Sequence, residues 1–187
     1  MSQPLTLTSL PLFPLAAVLL PGGRLALRVF EVRYLDMVRK CQQAGAPFGV
    51  VCLRTGTEVR KAGAPQEQLH SVGTLAHITQ LHSPQPALIH LECEGAQRFH
   101  IQRSHVLAHG LWVADVQLLP ADHPTTVPPH LMLASAALAR VLTSLRERQA
   151  PQASAPPTAE QLGDCGWVAN RWCELLPVPQ ELKQQLM

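Results

Sequence analysis

The sequence predicts an α+β chain in two units: a β-rich barrel or sandwich with one helix over residues 1–120, and a small helical bundle over 121–187. Three observations predict it. Six or seven short apolar alternations separated by turn residues fill the first part, the pattern of a small all-β unit. One stretch there, FEVRYLDMVRKCQQAG, changes its apolar period from two to nearly four. After the segment LLPADHPTTVPPH, dense in proline, the period is helical.

The first apolar run, LPLFPLAAVLLPGG at residues 10–23, has to be separated from an export signal. Such a signal needs a cationic start and an unbroken apolar centre. No Lys or Arg precedes Arg24, and Pro11, Pro14 and Pro21 interrupt the run. Each proline fixes φ and removes a backbone donor, which works against a helical apolar centre. The run also falls short of the about 20 apolar residues that cross a bilayer. It is therefore expected to be an extended segment entering a core, in a soluble, cytoplasmic chain. Five widely spaced cysteines without a CxxC pair then read as buried free thiols.

In LALRV (25–29), Leu25, Leu27 and Val29 share one face and Arg28 takes the other. The helical stretch sets Phe30, Tyr34, Met37, Val38 and Cys41 on a packing face. Glu31, Arg33, Asp36, Arg39 and Lys40 occupy a wet one. Gly45 stands where a C-cap glycine belongs, and Pro47 prevents continuation. FGVVCL (48–53) and VGTLAHI (72–78) read as strands. ALIHLEC and QRFHIQR flank Glu94-Gly95-Ala96, which reads as a hairpin turn. LWVADVQLL (111–119) places Trp112, Ala114, Val116 and Leu118 on one side.

In the helical part, Leu131, Ala134, Leu138, Val141, Leu142 and Leu145 form a stripe. QAPQASAPPTAE (149–160) is a Pro/Ala-rich loop. Leu162, Cys165, Val168, Trp172 and Leu175 mark the apolar face of the next helix. PQELKQQLM starts another, with Pro179 suited to its first turn.

Composition narrows the function classes. Apolar residues make up 47% and charged residues 15%, which describes a packed chain rather than a disordered one. A formal charge of +2 is too small to indicate nucleic acid by itself. No glycine is followed by lysine, so a GxxxxGK[ST] phosphate loop is excluded, and neither GxSxG nor HExxH occurs. Lys40, Lys61 and Lys183 all lack the apolar, small-residue setting that would lower a lysine pKa.

All nine histidines lie between His70 and His130, with His100, His105 and His109 closely spaced. A metal would need converging ligands with supporting partners. Strand alternation instead puts His90 and His100 on the solvent side. Glu92 and Glu94 share a strand face about 7 Å apart, but Glu94 falls at the expected turn, where carboxylates are usually only solvated. A nucleic-acid reading rests on Arg98, His100 and Arg103, with Arg24 and Arg28 as further cations. Single-strand recognition normally adds aromatic platforms, and Phe99 is expected to face the core. No catalytic residue, metal or cofactor is expected.

The order of motifs carries a resemblance. LPLFPLAAVLLPGGRLALRVFEVRYLDMVRKC resembles the opening of the N-terminal domain of the Lon protease family. FGVVCLRTGTEV, VGTLAHITQ, LIHLECEGAQRFHI and NRWCELLPVPQELKQQLM follow in the family's order, over nearly the whole chain. The resemblance implies a PUA-like β pseudo-barrel followed by a helical bundle, and a role in recognising polypeptide substrates. In the full-length family the domain precedes an ATPase module and a Ser–Lys peptidase module. Neither is expected here, so the similarity is to a stand-alone recognition domain. The family's FEPRY is Phe30-Glu31-Val32-Arg33-Tyr34 in this chain, without the proline that favours a first helical turn.

Glu31, Arg33 and Tyr34 match that motif and could simply lock the helix to the barrel. The functional reading is a groove between the two units, lined by the segment from Leu12 to Tyr34 and by the FGVV strand. It would take an extended apolar peptide by adding a strand. Its expected residues are Leu12, Phe13, Arg28, Glu31, Arg33, Tyr34 and Phe48. The expected partner is an unfolded polypeptide or a protein, a separate ATPase or protease among the candidates, with no membrane. An RNA-binding PUA-like module is the main rival, and a hydrolase using His and Glu ranks below it.

Overall fold

The structure, a computed structural model, describes residues 5–59, 63, 65–148 and 155–187. Lys61 and positions 149–154 of the Pro/Ala-rich loop lie outside them. Six strands form one mixed sheet: β1 (Thr6–Leu15), β2 (Arg24–Val29), β3 (Phe48–Thr55), β4 (Gln68–Gln85), β5 (Leu88–Val106) and β6 (Trp112–Leu118). The order is β2-β5-β4-β3-β1-β6, and β5 also pairs with β6, so five strands close a hydrogen-bonded circuit with β2 outside it. Among the described strands the one parallel pair is β1 with β3. The crossover that a parallel pair requires runs through β2 and helix α1 (Val32–Ala44).

The prolines of the first run do not keep it out of the sheet. Leu12, Phe13, Pro14 and Leu15 pair with β3, while Pro11 and Leu12 pair with β6. The register shifts between Leu7 and Leu10. There Ser9 takes a positive φ of 52° and donates its N–H to Asp115, the kind of local irregularity a β-bulge introduces.

Glu94-Gly95-Ala96 is no turn. It lies in the middle of β5, where the strand changes neighbours: Ile89–Glu94 pair with β2, and Phe99–Val106 with β6. The hairpin turn is at Pro86 and Ala87, between the paired residues Gln85 and Leu88. Gly95 serves close approach instead. Its N–H donates to the Gly23 carbonyl at 2.8 Å and its carbonyl accepts from the Gly22 N–H at 2.7 Å. A Cβ there would stand 2.4 Å from the Leu20 carbonyl oxygen. A glycine inside a strand marks such an approach as readily as a turn.

Two cores share the sheet. Inside the circuit, Leu12, Val51, Phe99, Trp112, Ala114 and Val116 pack together, which places the expected face of β6 inward. On the other side, Phe13, Tyr34, Met37, Val38, Phe48 and Ile89 form the larger cluster beneath α1. Gly45 ends α1 in the left-handed conformation, donating to the Cys41 and Gln42 carbonyls, as a C-cap glycine should. The expected faces of α1 need two corrections. Phe30 is 53% exposed, because the helix starts after it at Val32, and Arg33 is buried among its partners. The five cysteines are free thiols, with Cys165 half-buried and the others buried. Burial pushes the Cys41 and Cys52 thiols up, and that of Cys93 up to about 12.

The chain divides into Met1–Ala121 with Val178–Met187, and Asp122–Pro177. The last helix, α5 (Gln180–Gln185), thus belongs with the sheet: Gln184 Nε2 donates to the Val72 carbonyl and Gln180 accepts from the Val18 N–H. In the second unit, α2 (Met132–Arg148), α3 (Ala159–Gly163) and α4 (Cys165–Leu175) surround Val127, Leu138 and Val168. The buried stripe of α2 runs through Ser135, Leu138 and the half-buried Leu142, whereas Leu131 and Val141 are exposed. Leu175 is exposed as well.

The expected single helix over 162–175 is two helices, broken at Asp164. Its carboxylate accepts from the Trp167 N–H at 2.7 Å, capping α4, and from the Thr125 N–H at 3.2 Å. Loss of an N-cap typically costs about 1 kcal/mol, and here a loop contact goes with it. Asp164→Ala is expected to lower the stability of this unit by about 1.5 kcal/mol. Denaturant unfolding read by the fluorescence of Trp167 and Trp172 would measure it, and an unchanged midpoint would contradict it.

Candidate functional site

The start of α1 brings five of the expected residues into one stack. Glu31 precedes the helix, and its carbonyl accepts from the N–H groups of Tyr34 and Leu35. Its carboxylate accepts from Arg33 Nε at 3.1 Å, and Arg33 Nη2 stands 2.9 Å from the same oxygen. Arg33 Nη1 donates to the Gly110 carbonyl at 2.7 Å. The guanidinium lies 4.5 Å from the centroid of the Tyr34 ring, a cation–π contact. Tyr34 in turn stacks on Phe13 at 4.1 Å and 11°, and Phe13 meets Phe48 at 6.2 Å. Burial raises the pKa of the Tyr34 hydroxyl, Arg33 opposes this, and Glu31, Glu67 and Glu58 add to it.

These contacts make Phe13, Tyr34 and Phe48 core residues, with Arg33 the cation that closes the core over. Leu12 points away from this stack into the cluster inside the circuit. Arg28 is apart as well, exposed on β2 opposite His90. Two surface residues beside this stack are not among the named groove residues. Phe30 and Val32 flank Glu31 and are 53% and 73% exposed. A signal for Val32 was present: an apolar side chain stands where the family has proline, on the first turn of a helix.

Among the described residues, β2 has a neighbour on one side only. Arg24, Ala26 and Arg28 are exposed on its outer face, opposite Glu94, Glu92 and His90 of β5. His77 and His82 of β4 continue the rows through Glu94 and His90. Glu92 and Glu94 are therefore solvent-facing strand residues. No group of three or more potential metal ligands is gathered among the described residues.

Two cations of the nucleic-acid reading, Arg98 and Arg103, are engaged elsewhere, whereas Arg24 and Arg28 stand exposed on β2. Arg103 pairs with Asp115 at 2.9 Å, Arg98 donates to the Met187 carbonyl, and Phe99 is fully buried. A cleft of about 450 Å³ in the sheet unit is lined by Arg54, His70, Ser71, Glu181 and Gln184. Burial lowers the His70 pKa, with Arg54 acting the same way and Glu181 opposing. No hydrogen bond joins His70 to Ser71 among the described residues.

Comparison with known proteins adds the family. The sequence profile of the ATP-dependent protease La (LON) substrate-binding domain matches residues 9–187. The chain belongs to the Lon substrate-binding domain family. Its fold is similar to the crystal structure of a Lon N-terminal domain protein from Xanthomonas campestris. The TM-score is 0.71 at 34% identity, covering 96% of this chain and 89% of that one. The N-terminal domain of the Mycobacterium avium complex Lon protease aligns over 95% of both chains at 15% identity, with a TM-score of 0.47. Among curated proteins, none is a significant match. Within this Lon-family chain of 187 residues neither an ATPase nor a peptidase module is evident. No described helix is long and apolar enough to cross a membrane.

Proposed function

We propose that this Lon-family chain is a non-catalytic polypeptide-binding module of the cytoplasm, taking unfolded segments or a protein partner. The observation that carries it is the exposure of Phe30 and Val32 on either side of Glu31, where β2 ends and α1 begins. Exposed large apolar side chains on a rigid base suit an apolar segment better than solvent. In this reading Phe13, Tyr34 and Phe48 are the backing, Glu31 and Arg33 anchor it, Arg28 lies on the contact side, and Leu12 serves the other core cluster. The closed strand circuit supports a PUA-like pseudo-barrel, and α2, α3 and α4 a small helical bundle.

Fluorescence anisotropy with a labelled, permanently unfolded polypeptide tests this, beside its folded form and a short single-stranded RNA at low and high salt. Saturable, salt-tolerant binding of the unfolded chain is expected. Replacing both Phe30 and Val32 by serine is expected to weaken it about tenfold, equivalent to 1.4 kcal/mol, without loss of stability. Binding of RNA alone, lost at high salt, would replace this function by the rival one.

A further inference from the structure

We propose that the free edge of β2 accepts, as an added strand, an extended polypeptide segment whose acidic residues lie four positions apart. The inference rests on the polypeptide-binding reading and gives the ligand its chemistry. β2 pairs through all six of its residues with β5 and, among the described residues, with no other strand. The alternate backbone groups on its other side are an unused ladder, which an extended segment can complete.

The side chains along that edge are selective. Arg24 and Arg28 stand on one face with Ala26 between them, all three exposed. Neither arginine forms an ion pair among the described residues. At about 3.3 Å per residue the two are roughly 13 Å apart along the strand. Residues i and i+4 of an added strand stand opposite them, and cross-strand pairs of opposite charge are favourable. Position i+2 faces Ala26, where the small side chain leaves room. Positions i+1 and i+3 fall on the other face, beside the half-buried Leu25 and Leu27 that pack on the core, and so are apolar. The preferred segment reads acidic–apolar–any–apolar–acidic.

The same charges reject the simplest competitor, a second copy of β2. RLALR is palindromic, and antiparallel self-pairing about Ala26 would set Arg24 opposite a second Arg28 at both ends. Like charges directly opposite are destabilising. The edge is thus protected against self-association and left open to a strand of opposite sign.

Three probes test this against the full chain: a peptide containing Glu-Val-Ser-Val-Glu, one with both Glu replaced by Lys, and the acidic peptide N-methylated at alternate residues. The acidic peptide is expected to bind about tenfold more tightly than the basic one at low salt. N-methylation of the set facing β2 is expected to remove binding, whereas methylation of the other set should not. The Arg24→Glu/Arg28→Glu variant is expected to prefer the basic peptide, and a reversed preference also shows that the variant is folded. Equal binding of acidic and basic peptides, or indifference to both methylation patterns, would overturn the inference. If the unfolded polypeptide still binds in that case, polypeptide recognition stands and the edge chemistry alone is wrong. If no polypeptide binds at all, both fall.

Discussion

Replacing Tyr34 by alanine is expected to lower the stability of the sheet unit by about 4 kcal/mol, the usual range for removing a large aromatic from a core. The ring is packed between Phe13 on one side and the Arg33 guanidinium nearby, and almost none of it meets solvent. Its loss leaves a cavity against Phe13 and strips Arg33 of its aromatic contact, so the anchor loosens with the core. Tyr34→Phe keeps the ring stack and is expected to cost less than about 1 kcal/mol. Urea unfolding followed by circular dichroism would give both values. At temperatures where Tyr34→Ala remains folded, polypeptide affinity is expected to change by less than about twofold, equivalent to about 0.4 kcal/mol, because Tyr34 is buried beneath the proposed contact surface. A large affinity loss with little loss of stability would instead make Tyr34 a ligand contact.

Gly95→Ala is expected to cost about 3 kcal/mol, at the upper end of what overpacking a well-filled site costs. The added carbon would meet the Leu20 carbonyl oxygen at 2.4 Å and Leu19 Cγ at 3.0 Å. The first is backbone and cannot swing aside as a long side chain would. Moving it would disturb the two hydrogen bonds that tie Gly22 and Gly23 to Gly95, and with them the entry into β2. Gly163→Ala is the control: a Cβ there meets nothing within 4 Å, and its φ is not positive. That change is expected to be neutral or slightly stabilising, by up to about 1 kcal/mol. Thermal unfolding of the two variants would compare them, and equal midpoints would show that the approach at Gly95 relaxes cheaply.

Much of the architecture was legible from residue patterns. The alternation in RLALRV, the apolar run FGVVCL and the inward face of β6 all became strands. The spacing of Tyr34, Met37, Val38 and Cys41 marked the buried face of α1. The errors have a common origin. Gly95 carried a turn signal because glycine in a turn and glycine at a close backbone approach look the same without the approaching chain. The charge of Arg33 argues for the wet face, while the Gly110 carbonyl that receives it is 77 residues away. Asp164 broke an expected helix because its carboxylate serves both the new helix and Thr125.

The candidate site divides the same way. Leu12, Phe13 and Phe48, expected as an apolar wall, are apolar enough to belong in the core and are buried there. The apolar side chains exposed around Glu31 are instead Phe30 and Val32. Exposure of an apolar residue depends on what fails to cover it, which no local pattern records.

The sequence by itself determined the family, the strand-rich and helical parts, and most of the side chains that would be buried. These follow from local period and composition, which are properties of neighbouring residues. Only the tertiary structure decided that β5 passes straight through Gly95 to serve β2 and β6 in turn while pairing with β4, that Arg33 closes the core, and that β2 keeps one edge open among the described strands. Each of those depends on which distant backbone groups find one another. Hydrogen-bond partners and desolvation are set by the packed chain as a whole.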